Sequence, residues 1–309
     1  MTFPNWLSVY AFPTTTVDDM PNQPYSILSI STVLSFYPQI RYLWLRKNSS
    51  GISPYYILFN LIAATEQFTI VFFLLVNNSL GNETFIHTPP TTGDWLNLSQ
   101  MTFSYVLFLI VYERLQSDRQ VEIIVLTSPD SFVLTLHYLP DSQVHKGVAL
   151  AIYSIFLLIS IIPVLFDVIT GGPYDKGAYR NWPLDIFRGF HIIFINPVVT
   201  LLIVISFVFQ VRRSLQESSP CISVRGLAIQ AFVFALLGMS WLLRVRWPTS
   251  DTSAYYDSSL VWYRLVGWAA VDHLLFALGQ AILCFIVWRY STNAAQDPVG
   301  ETEPLLNGR

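Results

Sequence analysis

Apolar residues in this chain run in long blocks, not in the alternating pattern of strands or the 3.6-residue stripes of soluble helices. A helix that crosses a bilayer core needs about 20 mostly apolar residues. Seven windows have that character: Ser26–Leu45, Tyr55–Val76, Trp95–Tyr112, Val148–Thr170, Ile192–Val211, Gly226–Leu243 and Leu265–Trp288. The third and sixth are short and end at a charge, Glu113 and Arg244. The second contains Glu66 and the seventh Asp272. Composition agrees: 53% of residues are hydrophobic and 12% charged, about half the ~25% charge of a soluble domain. The pattern predicts an all-α, polytopic membrane protein and argues against a soluble enzyme.

Charge adds an orientation. The formal net charge of −3 leaves no general basic surface for nucleic acid. The first 40 residues hold no Lys or Arg, so they do not read as a secretory signal, and the tail before residue 26 carries Asp18 and Asp19. This favours an extracytosolic N-terminus. Eleven basic residues then fall on the cytosolic side, among them Arg41, Arg46, Lys47, Arg212 and Arg213, against six opposite. Glycosylation sequons at Asn77, Asn82 and Asn97 fall in the loop between the second and third windows, on the outer side; another at Asn48 falls inside. Two cysteines, Cys221 and Cys284, make neither a disulfide framework nor a zinc site.

The chain repeats itself. Phe36-Tyr37-Pro38-Gln39-Ile40-Arg41 aligns with Phe207-Val208-Phe209-Gln210-Val211-Arg212. After a one-residue gap, Ile52-Ser53 aligns with Ile222-Ser223 and Asn60 with Gln230. Each stretch is the cytosolic end of a helix, a basic serine-containing turn and the start of the next helix. The copies share one orientation, so a fourth helix must intervene. This predicts two parallel three-helix repeats, 26–112 and 192–290, joined by an inverting helix at 148–170. The 113–147 loop lies in the cytosol and the 171–191 loop outside it. Parallel repeats about an axis along the membrane normal are a transporter architecture, with the substrate site at their interface.

Tyr37-Pro38-Gln39, the turn Lys47-Asn48-Ser49-Ser50-Gly51-Ile52-Ser53 and Asn60 resemble the PQ-loop repeat family of seven-helix proteins. That family includes the lysosomal cystine exporter cystinosin, vacuolar and lysosomal basic-amino-acid exporters and the SWEET sugar transporters. The second copy is degenerate, with Phe209 where the family has proline. The resemblance implies seven spans, an outer N-terminus and transport of a small solute. It also implies that Pro38 is a hinge for cytosolic opening; proline removes a backbone donor and kinks a helix. Cystinosin-like members carry a coupling acid on helix six, and the sixth window here has none.

Glu66 and Asp272 stand out, because a charge at mid-bilayer costs roughly 3 kcal/mol. Such groups face the bundle interior, pair, or sit protonated, and an acid so placed can carry a proton through alternating access. Asp272 is the first candidate for proton coupling and Glu66 the second; a structural, hydrogen-bonded acid is the other reading. Asn60, Gln67 and Gln230 are candidate cavity residues, with Asn60, Ala64 and Gln67 on one face of a helix; the same amides can instead glue helices together. Gln39 and Gln210 can hydrogen-bond across the bundle. Asn196-Pro197 breaks the start of the fifth helix.

No cofactor or metal motif appears, and His87, His137, His145 and His191 are scattered without metal spacing. The polar tail carries Glu301-Thr302-Glu303-Pro304-Leu305-Leu306. An acid four positions before Leu305-Leu306 resembles the dileucine signal read by clathrin-adaptor complexes, an address for lysosomes or vacuoles. The resulting expectation is a proton-coupled exporter of a small polar solute, most simply an amino acid, in a vacuolar or lysosomal membrane. An uncoupled sugar or amino-acid facilitator and a seven-helix sensor or cargo receptor are the alternatives.

Overall fold

The structure is a computed structural model that describes residues 23–46, 51–76, 86, 90–126, 142–169, 187–216, 222–244, 262–263 and 267–296. Among the described residues all regular structure is helical. Seven long helices follow one another: α1 (Gln23–Arg46), α2 (Pro54–Val76), α3 (Thr92–Leu126), α4 (Ser142–Ile169), α5 (Asn196–Gln216), α6 (Val224–Arg244) and α7 (Trp268–Gln296). A π-helical stretch, Arg188–Ile195, leads directly into α5.

Five segments are long and apolar enough to cross a membrane: Pro54–Val76, Thr92–Leu115, Gly189–Gln216, Val224–Leu242 and Trp268–Tyr290. The described apolar part of α4, Leu150–Phe166, is shorter. α1 is a 24-residue helix but carries serine, threonine, Pro38, Gln39 and Arg41. Its hydroxyls turn back onto their own helix: Thr32 Oγ1 donates to Leu28 O at 2.9 Å and Ser35 Oγ to Thr32 O at 2.7 Å. Such bonds satisfy polar side chains without an outside partner. These spans are those of an integral multi-pass membrane protein.

α3 is longer at both ends than its apolar window. It starts early because Thr91 and Asp94 cap it reciprocally. The Thr91 backbone N–H donates to Asp94 Oδ2 at 2.8 Å, and Thr91 Oγ1 accepts from the Asp94 N–H at 3.4 Å. Asn97 therefore sits inside α3, not in the preceding loop. At the other end the helix runs through residues 113–126, because nothing from Asp94 to Leu126 is glycine or proline. Much of the expected 113–147 loop is thus helix, since α4 already begins at Ser142.

The packing order positions the site. α3 packs against both α1 and α2, and α7 packs against both α5 and α6. The two groups meet where α2 lies on α5 and α1 on α6, while α4 rests on α2. α2 is the central helix, with Leu61, Thr65, Glu66, Thr69, Ile70 and Val71 fully buried. Phenylalanines fill the middle of the bundle. Phe36 meets Phe108 edge-on at 5.1 Å, Phe108 meets Phe276 at 5.6 Å, and Phe276 meets Phe234 at 4.5 Å and Phe207 at 5.6 Å.

Candidate functional site

Three consecutive residues of α2 each reach a different element. Thr65 Oγ1 lies 3.3 Å from the Tyr153 hydroxyl on α4. Glu66 holds His191, in the π-helical stretch, with its two carboxylate oxygens 2.9 and 3.0 Å from Nδ1. Gln67 Nε2 donates to Asp272 Oδ2 on α7 at 3.0 Å. Successive helix residues point about 100° apart, so α2 can contact all three neighbours at one depth. That depth is the middle of the helix, roughly 18 Å from Pro54 at 1.5 Å per residue.

Asp272 is the better connected of the two acids. Thr200 Oγ1, on α5, donates to Asp272 Oδ1 at 2.5 Å. Thr200 has one proton, so the Tyr263 hydroxyl, 2.5 Å away, donates to Thr200. A hydrogen-bonded line thus runs Tyr263, Thr200, Asp272, Gln67, from the segment before α7 through α5 and α7 to α2. Glu66 and Asp272 are both buried, as membrane acids must be. Next to Asp272, His273 Nδ1 bonds Ala269 O on its own helix and its ring stacks on Phe234 at 5.7 Å.

The π-helix explains why His191 points at Glu66. Proline at 197 has no N–H, and its ring would clash with the carbonyl four residues back. The Asn196 N–H bonds His191 O, five residues back. The wider turn admits the extra residue and turns the chain; such turns gather at functional sites. Phe187 stacks on the His191 ring at 4.1 Å and on Phe73 at 4.1 Å, closing the pair from one side.

At the far end of the bundle the repeat-matched glutamines behave alike. Gln210 Oε1 accepts the Ser53 N–H at 2.8 Å, and Gln39 Oε1 accepts the Ser223 N–H at 3.2 Å. Ser53 and Ser223 precede α2 and α6, and the Ser223 hydroxyl caps α6 through the Gly226 N–H at 3.1 Å. Each glutamine satisfies an orphan donor at the start of a helix in the other half of the chain. Gln210 Nε2 also donates to Gly51 O at 3.0 Å. Pro38 lies inside the uninterrupted α1. Phe209, in the matching place, packs on Tyr55 and Phe59 of α2, at 5.1 and 6.1 Å.

The cavity residues separate. Asn60 Nδ2 donates to Ser206 Oγ on α5 at 3.0 Å and to Tyr56 O at 2.7 Å. Gln230 instead lines a cavity of about 30 Å³ with Gln39, Tyr56, Phe36, Phe108 and Ile222. That space suits about two waters, not a solute. Its Phe36 and Phe108 walls belong to the phenylalanine layer, which reaches His273 through Phe234. Asn77, Asn82, Glu301, Leu305 and Leu306 lie outside the described residues.

Residues 25–80, spanning α1, its turn and α2, match the family model of the PQ loop repeat. This segment is similar to the PQ loop repeat. The match includes Pro38, Gln39, Ser53, Asn60, Glu66 and Gln67 of the site, and it ends before α3. No curated protein and no solved structure matches the chain. His191, Thr200, Tyr263 and Ser206 carry no motif. The one signal for His191 in the sequence is its place one turn before the Asn196-Pro197 break.

Proposed function

We propose that the chain is a seven-span transporter that moves a small polar solute, an amino acid in the simplest case, by proton-coupled alternating access. α1–α3 and α5–α7 act as two parallel repeats, and α4 crosses between them to restore orientation. The observation that carries this reading is the Gln67–Asp272–Thr200 contact. In it an acid of α7 is bonded across the boundary between the halves by Gln67 of α2, and within its own half by Thr200 of α5. Rocking the halves apart breaks the Gln67 bond, the one of the two that crosses between them, and leaves Asp272 a donor short as the cavity opens.

The glutamine contacts support a cytosolic end that is closed in this conformation, and the phenylalanine layer supports a shut path between that end and Asp272. The basic turns beside α1 and α5 favour the same end as cytosolic. Export from a vacuole or lysosome follows from the proton gradient of such organelles and from Glu301, Leu305 and Leu306 as a sorting signal for a clathrin adaptor.

The test is flux of labelled amino acids in vesicles reconstituted with the full chain. Flux should rise with an imposed proton gradient in the wild type and lose that dependence in Asp272→Asn. Gradient dependence that survives in Asp272→Asn removes Asp272 from coupling. Binding without flux makes the chain a receptor. Comparing vacuolar metabolites of deletion and control cells then identifies the solute.

A further inference from the structure

The two acids of the polar layer are already engaged by the protein. Both Glu66 oxygens face His191 Nδ1, and each Asp272 oxygen receives a proton donor, from Gln67 and Thr200. Asn196 differs. It is fully buried, yet neither its side-chain nitrogen nor its side-chain oxygen has a partner among the described residues. Its backbone is satisfied through the bond to His191 O, so the unspent capacity belongs to the side chain alone. Buried amides left unpaired are rare in native proteins and ask for a reason.

Its location supplies one. Asn196 lies one π turn after His191, which holds Glu66, and one α turn before Thr200, which holds Asp272. It shares the buried stripe of α5 with Val199, Ile203, Ser206, Phe207 and Gln210, the face turned to the other half of the chain. The π turn that aims His191 also sets Asn196 at the start of that stripe.

We propose that Asn196 is the solute-contacting residue of the mid-membrane layer, and that Glu66 and Asp272 flank the solute without being its primary hydrogen-bond partners. A side-chain amide offers a donor and an acceptor side by side. The matching ligand group both accepts and donates over a short span, as the carboxylate and ammonium of an amino acid do, or adjacent hydroxyls of a sugar. The assignment rests on the transport reading above and adds a division of labour to it, with solute on Asn196 and protons on the acids.

The experiment uses vesicles reconstituted with full-length wild type, Asn196→Leu and Asn196→Ser. Labelled lysine, alanine and glucose are each offered singly in counterflow, so that the amino-acid and sugar arms separate the two ligand chemistries. The same proteins are melted in detergent without solute. For whichever probe the wild type carries, Asn196→Leu should lower flux about tenfold or more. It should also melt at or above the wild-type temperature, because an apolar side chain of the same size removes an unpaired buried amide. Asn196→Ser, which keeps a small donor and acceptor, should show a raised KM with measurable flux. A Leu variant that melts well below wild type reveals a structural partner for the amide and overturns the assignment. So does a Leu or Ser variant with wild-type KM. A wild type that carries none of the probes while binding one of them overturns the transport reading itself.

Discussion

Gln210 accepts the backbone N–H of Ser53 at 2.8 Å, a contact across 157 residues of chain, and Gln39 makes the matching bond to Ser223 across 184. In an ordinary capping box a side chain three residues into the helix closes back on the capping residue. Here the glutamine of the opposite half does so. The two halves of the chain therefore complete each other's helix starts at the same end of the bundle.

Replacing Gln210 with alanine should destabilise more than replacing Gln39. Gln210 is fully buried and bonds Ser53, Gly51 and Ser214, whereas among the described residues Gln39 bonds Ser223 alone. An orphaned buried donor costs about 1–3 kcal/mol. Thermal melting of the detergent-solubilised protein reads the order, and a larger loss for Gln39→Ala would contradict it.

His191→Ala leaves Glu66 without its imidazole partner in the bundle interior. Removing one member of a buried pair costs roughly 3–5 kcal/mol, whereas replacing both with apolar residues is often nearly neutral. Glu66→Leu combined with His191→Phe should thus melt above either Glu66→Leu or His191→Phe alone, and the wild type completes the set. The four proteins form a cycle whose interaction energy is large and favourable. Additive losses would show that the pair acts as two separate groups.

Thr200→Val removes the donor to Asp272 Oδ1 and the acceptor for Tyr263 while keeping the shape of the side chain. Tyr263→Phe removes only the far end of the line. Proton-driven flux should fall strongly in Thr200→Val and modestly in Tyr263→Phe, with the pH profile moving in the first and hardly in the second. Equal pH profiles in all three proteins would separate Thr200 from the acid's function.

Gly279 lets α7 lie close on α5. A Cβ there would run into the Phe207 ring, which also packs on Tyr56 and Phe276. Small residues are how membrane helices approach closely, and overpacking costs about 1–3 kcal/mol. Gly279→Ala should lower the melting temperature, and Phe207→Leu in the same chain should restore part of it. No rescue would mean that the strain lies elsewhere.

Much of this was legible in the sequence. The apolar windows located α2, α3 and α5–α7, and marked α2 and α6 to within a few residues, because a bilayer tolerates only apolar stretches of helical length. The Gln39/Gln210 and Ser53/Ser223 matches pointed to a repeat, and the scarcity of charge singled out Glu66 and Asp272. The α3 boundaries were missed, because the Thr91–Asp94 cap and the polar helix beyond Glu113 are not features of hydropathy.

What the sequence determined by itself was therefore which groups must be hidden: two acids and a set of amides in segments that have no water to satisfy them. What the tertiary structure decided was who hides them. His191 meets Glu66 across 125 residues and Gln67 meets Asp272 across 205. Spans apolar on every side do not declare which way they face. Their rotation is set by packing against neighbours, by the π turn before Pro197 and by the central place of α2, and only that rotation brings the partners together.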